Sequence, residues 1–258
     1  MTSELERASA FEETVRDACA ERLVPSPLGT AVFNDSLPRV WSLNVLRVEQ
    51  ADAGAEEIAA EAERLQGEAG LAHRRVLVGG QAAGRSLEQR FAELGWKTDA
   101  FLFMAHRGEP ARAVDTSRVV EVESGLAHLH ERIAWETLSD ADEETVAQIV
   151  EASCLVTRAV ETRHFAVVVD GQAVSSTDLY SDGRTAQIED VMTLREHRGR
   201  GYASAVVIRA LEEALAGGHD FVFLTTDARD WPKELYRRLG FEPLGEKYAY
   251  LLTPAGPA

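Results

Sequence analysis

Cysteine is almost missing from this chain. Two occur in 258 residues, Cys19 and Cys154, far apart and without partner spacing. That excludes a disulfide framework and a zinc pattern, and fits a reducing cytoplasm. No run approaches the roughly 18 apolar residues of a membrane span. The first residues, MTSELERASAFEE, lack the apolar core of a secretory signal. The expectation is a cytoplasmic protein with no membrane partner. Basic charge is also short: 27 Lys and Arg face 43 Asp and Glu, for a net charge of −16. Nucleic-acid binders carry a basic face, so that class is excluded as a partner. The acidity itself speaks first to solubility, and secondly to attraction of a cationic substrate such as an amine. A metal site is not expected. His128-x-His130 sits in a helical stretch where the two rings face apart, and it reads as a solvated surface pair. Cys154 lies mid-helix with no adjacent base and reads as buried and inert.

What is present is an ordinary apolar fraction of 45% and length enough for two compact domains. The pattern predicts a helix over 3–22, with Ser3 and Glu6 as a capping box, stopped by Pro25 and Pro27. It continues with a strand at 39–49, a helix at 55–68, a strand at 74–79, a helix at 85–94 and a strand at 99–106. A polar linker, 106–118, places a domain boundary near Ala113. Beyond it come a strand at 118–124, helices at 126–136 and 141–162, and a hairpin over 164–180 turning at Gly171. A strand runs over 185–194. The helix after it carries Ala203, Val206, Val207, Ala210, Leu211 and Ala214 on one face. Strand 221–226, a helix opened by Pro232, and strand 246–252 complete the chain.

The halves superpose at a shift of 145 residues. VLVGGQAAGRSLEQRFAELGW at 76–96 falls on FVFLTTDARDWPKELYRRLGF at 221–241, and both close on aromatic-x-x-Leu-Gly-aromatic. A duplication explains this better than chance. The copies differ at one place. REHRGRG at 195–201 answers to QADAGAE at 50–56, where the arginines are gone and Glu56 and Glu57 would repel an anion.

The stretch Gln187–Ala203, QIEDVMTLREHRGRGYA, is the chemical focus. A strand that feeds a glycine-rich turn at a helix N-terminus presents unpaired N–H groups and the positive dipole end to an anion. A Walker loop needs Gly-Lys-Ser/Thr after its spacer, which is missing. A dinucleotide fingerprint needs a third glycine or alanine where Ser204 stands, and too little chain follows for a doubly wound sheet. The third pattern, Arg/Gln-x-x-Gly-x-Gly/Ala, is met by Arg198, Gly201 and Ala203.

With Val191-Met192-Thr193 before that turn and Leu235-Tyr236-x-x-Leu239-Gly240-Phe241 after it, residues 115–252 resemble the GNAT superfamily of N-acetyltransferases. The whole chain is similar to tandem members of that family. The resemblance implies an α/β (α+β) fold of two domains, each a mixed, mostly antiparallel sheet flanked by helices. Residues 1–113 would be a degenerate copy without the cofactor motif, and 114–258 the catalytic domain. It implies acetyl-coenzyme A (acetyl-CoA) as acyl donor, with its pyrophosphate on Arg198, Gly199, Arg200, Gly201, Tyr202 and Ala203. The pantetheine arm would pair with backbone at Val191, Met192 and Thr193.

Tyr236 matches the family tyrosine that protonates the departing thiolate, and it would also touch the cofactor. The usual Asn seven residues before it is Arg229 here. Asp227 or Asp230 would take that contact, or either would only cap the helix. The base is Glu189, Asp190 or a water relay; Glu189 is preferred, since strict alternation sets it on the face of Val191 and Thr193, and a bulge would break that argument. Trp135 and Trp231 fit an acceptor pocket and packing equally well.

The expected acceptor is a small-molecule or peptide amine, cationic where charge decides, and the expected state a monomer or homodimer. Two alternatives remain open at this point. One is a tandem enzyme of small-thiol (mycothiol-like) biosynthesis. The other is an acyl-CoA-binding protein without turnover.

Overall fold

The computed structural model describes residues 3–123, 126–138 and 141–253. The chain divides into two compact units. The first holds Met1–Val15, Phe103–Thr226 and Asp230–Leu244; the second holds Arg16–Leu102, Asp227–Arg229 and Gly245–Ala258. The compact units are thus not the contiguous pieces 1–113 and 114–258.

In the second unit, β1 (Arg22–Ser26) and β2 (Gly29–Phe33) form a hairpin, followed by β3 (Val45–Val48), α2 (Ala55–Glu68), β4 (Arg74–Val78) and α3 (Gln81–Glu93). The hairpin is an addition to the elements expected from sequence. Pro25 stands in β1, the edge strand, where a missing N–H costs no ladder bond. Gly29 turns the hairpin at φ +149°, with the Arg47 carbonyl where a Cβ would sit. The core gathers Phe33, Leu46, Ile58, Ala62, Val76 and Phe91, all fully buried. The apolar stripe of α2 at Ile58, Ala62 and Leu65 predicts that packing.

In the first unit, α1 (Glu4–Ala18) begins with the expected capping box. The Ser3 amide donates to Glu6 at 2.6 Å and the Glu6 amide to Ser3 Oγ at 3.2 Å. Then come β6 (Val119–Val122), α4 (Ala127–Thr137), α5 (Glu143–Ala159), β7 (Glu161–Val169), β8 (Gln172–Ser181), β9 (Thr185–Thr193), α6 (Tyr202–Ala216), β10 (Phe221–Asp227) and α7 (Pro232–Arg238). Ser124, which the sequence places in the β6 strand, lies outside the described residues. Asp170 and Gly171 turn the β7–β8 hairpin, both at positive φ. Strand order is β10-β9-β8-β7-β6. The N-terminal helix α1 packs here: Phe11 meets Phe223 edge-on at 5.8 Å, and Arg7 donates to Thr185 Oγ1 at 3.0 Å.

The last strand of each sequence half explains the discontinuous units. β5 (Lys97–His106) contributes residues 103–106 to the first unit, and β11 (Phe241–Leu252) contributes residues 245–252 to the second. β11 pairs antiparallel with β4, Tyr248 opposite Val78 and Leu252 opposite Arg74. β5 stands next to β10 in the sheet order. β5 and β11 are therefore each divided between the two units. Tyr248 and Tyr250 fix β11 in place. Tyr250 stacks on Phe91 at 4.0 Å and donates to the Gly84 carbonyl, and the Tyr248 ring lies 2.6 Å from where a Gly84 Cβ would be.

Candidate active site

The site begins where two parallel strands part. β9 and β10 are paired from Thr185↔Phe221 to Ile188↔Leu224. β9 then continues from Glu189 to Thr193 paired only with β8, Asp178 opposite Glu189 and Ser175 opposite Thr193. One backbone edge of that segment is open to an extended, amide-rich ligand.

The open segment is bulged. The register with β8 slips between Ser176 and Asp178, and Asp190 takes φ +49°. A non-glycine residue there costs roughly 1–3 kcal/mol, which the surrounding ladder must overcome. The consequence is that Glu189, Asp190, Val191 and Met192, four successive residues, all line one cavity of about 450 Å³. Strict alternation, the basis for choosing Glu189 from sequence, therefore fails, although Glu189 does reach the cavity. Thr193 is not in its wall. It faces the following turn, its carbonyl accepting from Arg198 Nε at 3.1 Å.

The opposite wall is α4 and α5, with Ile133, Ala134, Leu138 and Ile149. Tyr236 and Thr225 complete it. Tyr236 is buried, and that burial, reinforced by Glu189, holds its phenol well above the usual tyrosine range. Its hydroxyl is therefore protonated at neutral pH. Glu189 accepts from Gln187 Nε2 at 2.6 Å and from Thr225 Oγ1 at 2.8 Å. Burial, with the Glu12 and Asp190 carboxylates nearby, pushes it up to about 8.

Behind the cavity stands a polar cluster that sequence reasoning missed. His130, Asp178 and Asp190 present ligand atoms within 4.8 Å of one another. His164 Nδ1 lies 2.7 Å from Asp178 Oδ1. His130 is 9% exposed and lines the cavity, which corrects its reading as a surface residue; His128 is exposed as expected. A signal existed. Leu126, His130, Ala134 and Thr137 share one helical stripe, and the apolar members bury it. Asp178 gave none, being one polar residue among several in β8. Cys154 is exposed, correcting the buried reading. Trp135 and Trp231 are exposed and do not line the cavity.

The glycine turn follows a short 3-10 turn, Arg195–His197. Gly199 and Gly201 stand at φ +75° and +81°, with open space where a Cβ would be, so glycine serves backbone conformation there. Gly201 caps α6 without any side-chain hydrogen bond to its first turn. The amides of Tyr202 and Ala203 are thus not served by a cap. Arg198 and Arg200 are exposed beside them. An uncapped helix start, a left-handed turn and two arginines fit a phosphate group. Asp227 belongs to the second unit, and its carboxylate accepts the Arg229 amide at 2.7 Å. Asp230 accepts from the Trp231 amide at 2.7 Å. Both are local turn-formers, and Arg229 pairs with Glu88.

Residues 127–241 match the profile of the acetyltransferase (GNAT) family. That segment is similar to the GNAT acetyltransferases. Among solved structures, a functionally unknown conserved protein from Staphylococcus epidermidis ATCC 12228 aligns with TM-score 0.70 at 15% identity, covering 91% of this chain and 94% of that one. A GCN5-related N-acetyltransferase from Kribbella flavida aligns with TM-score 0.62 at 20% identity, over 99% and 97%. A tandem GNAT protein from the clavulanic acid biosynthesis pathway aligns with TM-score 0.53 at 17% identity, over 82% and 75%. At these identities the likeness is one of fold. No curated protein matches the chain. No helix among the described residues is long and apolar enough to cross a membrane.

Proposed function

We propose that the first compact unit transfers an acetyl group from acetyl-CoA to a primary amine, by direct attack within a ternary complex. The observation that carries this reading is the open edge of β9 at Glu189–Thr193, which leads from the uncapped turn at Gly201 into a cavity walled by Glu189 and Tyr236.

Arg198–Ala203 would hold the pyrophosphate, and backbone at Val191, Met192 and Thr193 the amide-rich arm. An N–H of that segment would also polarise the thioester carbonyl. The amine nitrogen attacks the carbonyl carbon, a C–N bond forms and the C–S bond breaks. The Tyr236 hydroxyl gives its proton to the departing thiolate. Glu189 takes the proton that the ammonium must lose before attack, and the second proton, shed by the nitrogen as the intermediate collapses, restores the Tyr236 hydroxyl. The N-terminal half is the degenerate copy in this reading, kept as scaffold. The cavity pairs an aliphatic wall with carboxylates, and so suits an acceptor that is cationic at its amine and apolar beside it.

Free-thiol release from acetyl-CoA should be measured across arylalkylamines, aliphatic diamines, aminoglycosides and peptide N-termini. Release with an apolar amine is expected. Release with none would leave a protein that binds acyl-CoA without turning it over.

A further inference from the structure

Converting an ammonium and a thioester into an amide and a thiol releases one proton per turnover. The cavity holds two neighbouring carboxylates, Glu189 and Asp190, and a proton left on either would stop the next cycle. Four side chains join this cavity to the surface. Asp190 and His130 are in its wall. Asp178, 2% exposed, lies behind them with its ligand atom within 4.8 Å of theirs, a distance that a direct bond or one bridging water spans. His164 touches Asp178 at 2.7 Å and is itself 14% exposed at its side chain.

We propose that Asp190, His130, Asp178 and His164 form the proton exit of the acceptor cavity, a role that rests on the amine-acetylation reading above. The proton taken by Glu189 passes to Asp190, its neighbour on the bulge, then through His130 and Asp178 to His164, which releases it to solvent. The first transfer runs between two carboxylates, the next three between a carboxylate and an imidazole, and the last from imidazole to water; no bond other than O–H and N–H changes.

The surrounding groups agree. Asp190 faces Asp178 and Tyr180 on β8, His130 on α4, His164 on β7 and Glu189 on its own strand; Glu189 faces Glu12 on α1 and Tyr236 on α7. Burial and the Asp178 carboxylate raise Asp190 above the usual carboxylate range, so it holds a proton more readily than a surface aspartate. The Asp178 hydrogen bond raises His164, which keeps it ready to accept. A divalent ion would need the same His130, Asp178 and Asp190 atoms. Asp178 and Asp190 already accept from His164 and Tyr180, which favours protons over a metal.

His164→Gln and Asp178→Asn test the path. Each should lower kcat at least about tenfold near pH 7 with the KM for acetyl-CoA unchanged, and added imidazole should restore rate to His164→Gln. Unaltered kcat and pH profile in both variants would overturn the proposal. Histidine NMR titration of the intact chain decides the wiring without turnover. Asp178→Asn should lower the midpoint of His164 and also move the His130 ring resonances. An unmoved His130 ring would break the chain. If no amine is acetylated, the reaction reading fails while this titration still judges the connection. Stoichiometric binding of Zn2+ or Mn2+ that is lost in Asp190→Asn would assign the cluster to a metal and overturn the relay.

Discussion

Corresponding strands behave differently in the two copies. In the first unit β9 and β10 part after Ile188↔Leu224, and the next four residues of β9, Glu189 to Met192, face a cavity. In the second unit β3 and β4 stay paired to Val48↔Val78, and the Gly79 amide adds a further bond to the Val48 carbonyl. No strand edge is freed there. Gly201 starts its helix at φ +81° beside two arginines, whereas Gly54 starts α2 at φ −79° in extended conformation. Glu56 then occupies the first turn and pairs with Arg90 at 2.5 Å. Where Tyr236 faces the cavity, Phe91 stacks on Tyr250 and meets Trp96 edge-on. The difference between the two copies reduces to strand parting, turn conformation, charge and one hydroxyl.

Charge at the turn should be the most sensitive of these. Gly201→Glu places an anion at the helix start and a Cβ at φ +81°. Affinity for coenzyme A should fall by about 100-fold or more, since strain and repulsion of a few kcal/mol together give that factor. Isothermal titration checks it, with circular dichroism to confirm the fold. Gly54→Glu should leave affinity untouched. Equal losses at both positions would erase the distinction between the copies.

The hydroxyl comes next. Tyr236→Phe should lower kcat by about 100-fold with little change in the KM of acetyl-CoA, because the loss is confined to protonation of the thiolate. Phe91→Tyr should add no activity. A Tyr236→Phe enzyme of unaltered rate would remove the acid role.

Much of this was legible in the sequence. The stripe Ile58, Ala62, Leu65 marked α2 over 55–68, and the structure has Ala55–Glu68. The turn Arg198–Ala203 stood out by spacing, and Tyr236 by the family resemblance. The pairing of β11 with β4 was not legible, because alternation declares a strand and the face it buries but not its neighbour. The bulge at Asp190 was hidden because Asp carries no marker for φ +49°, as glycine would. β1 was masked by Pro25, which reads as a breaker until the strand is known to be an edge.

Proton binding at Glu189 gives a smaller effect with a definite sign. Below about 8 this carboxyl is protonated and cannot act as base, so the rate should rise with pH through about 8. Its folded pKa is raised, so the folded state binds a proton that the unfolded chain has lost. The first unit therefore loses stability as pH rises from about 4.5 to about 8, by roughly 3–5 kcal/mol at the upper limit. Glu189→Gln should remove that slope in urea melts while abolishing the rise in rate. A slope that persists would assign the titration elsewhere.

The second unit should show the opposite dependence. His73 is 1% exposed, and its Nε2 lies 3.2 Å from the Asn44 carbonyl, which can only accept, so the ring is neutral with the proton on Nε2. Burial first, and then the nearby Arg75 and Arg74, lower it to about 4, against the Asn44 bond that raises it. The folded state thus resists a proton that the unfolded chain accepts. Stability is complete above about 6.5 and falls as pH drops toward about 4, by about 3 kcal/mol at most. The ring also packs on Trp41 at 5.8 Å, so Trp41 fluorescence reports the loss locally. Acid melts followed at Trp41, with the His73 ring titrated by NMR, should give a midpoint near 4 for His73. A midpoint near 6.5 would mean that the ring is solvated, and the acid sensitivity would then belong to carboxylates shared by both copies, leaving the active unit distinguished by its alkaline limb alone.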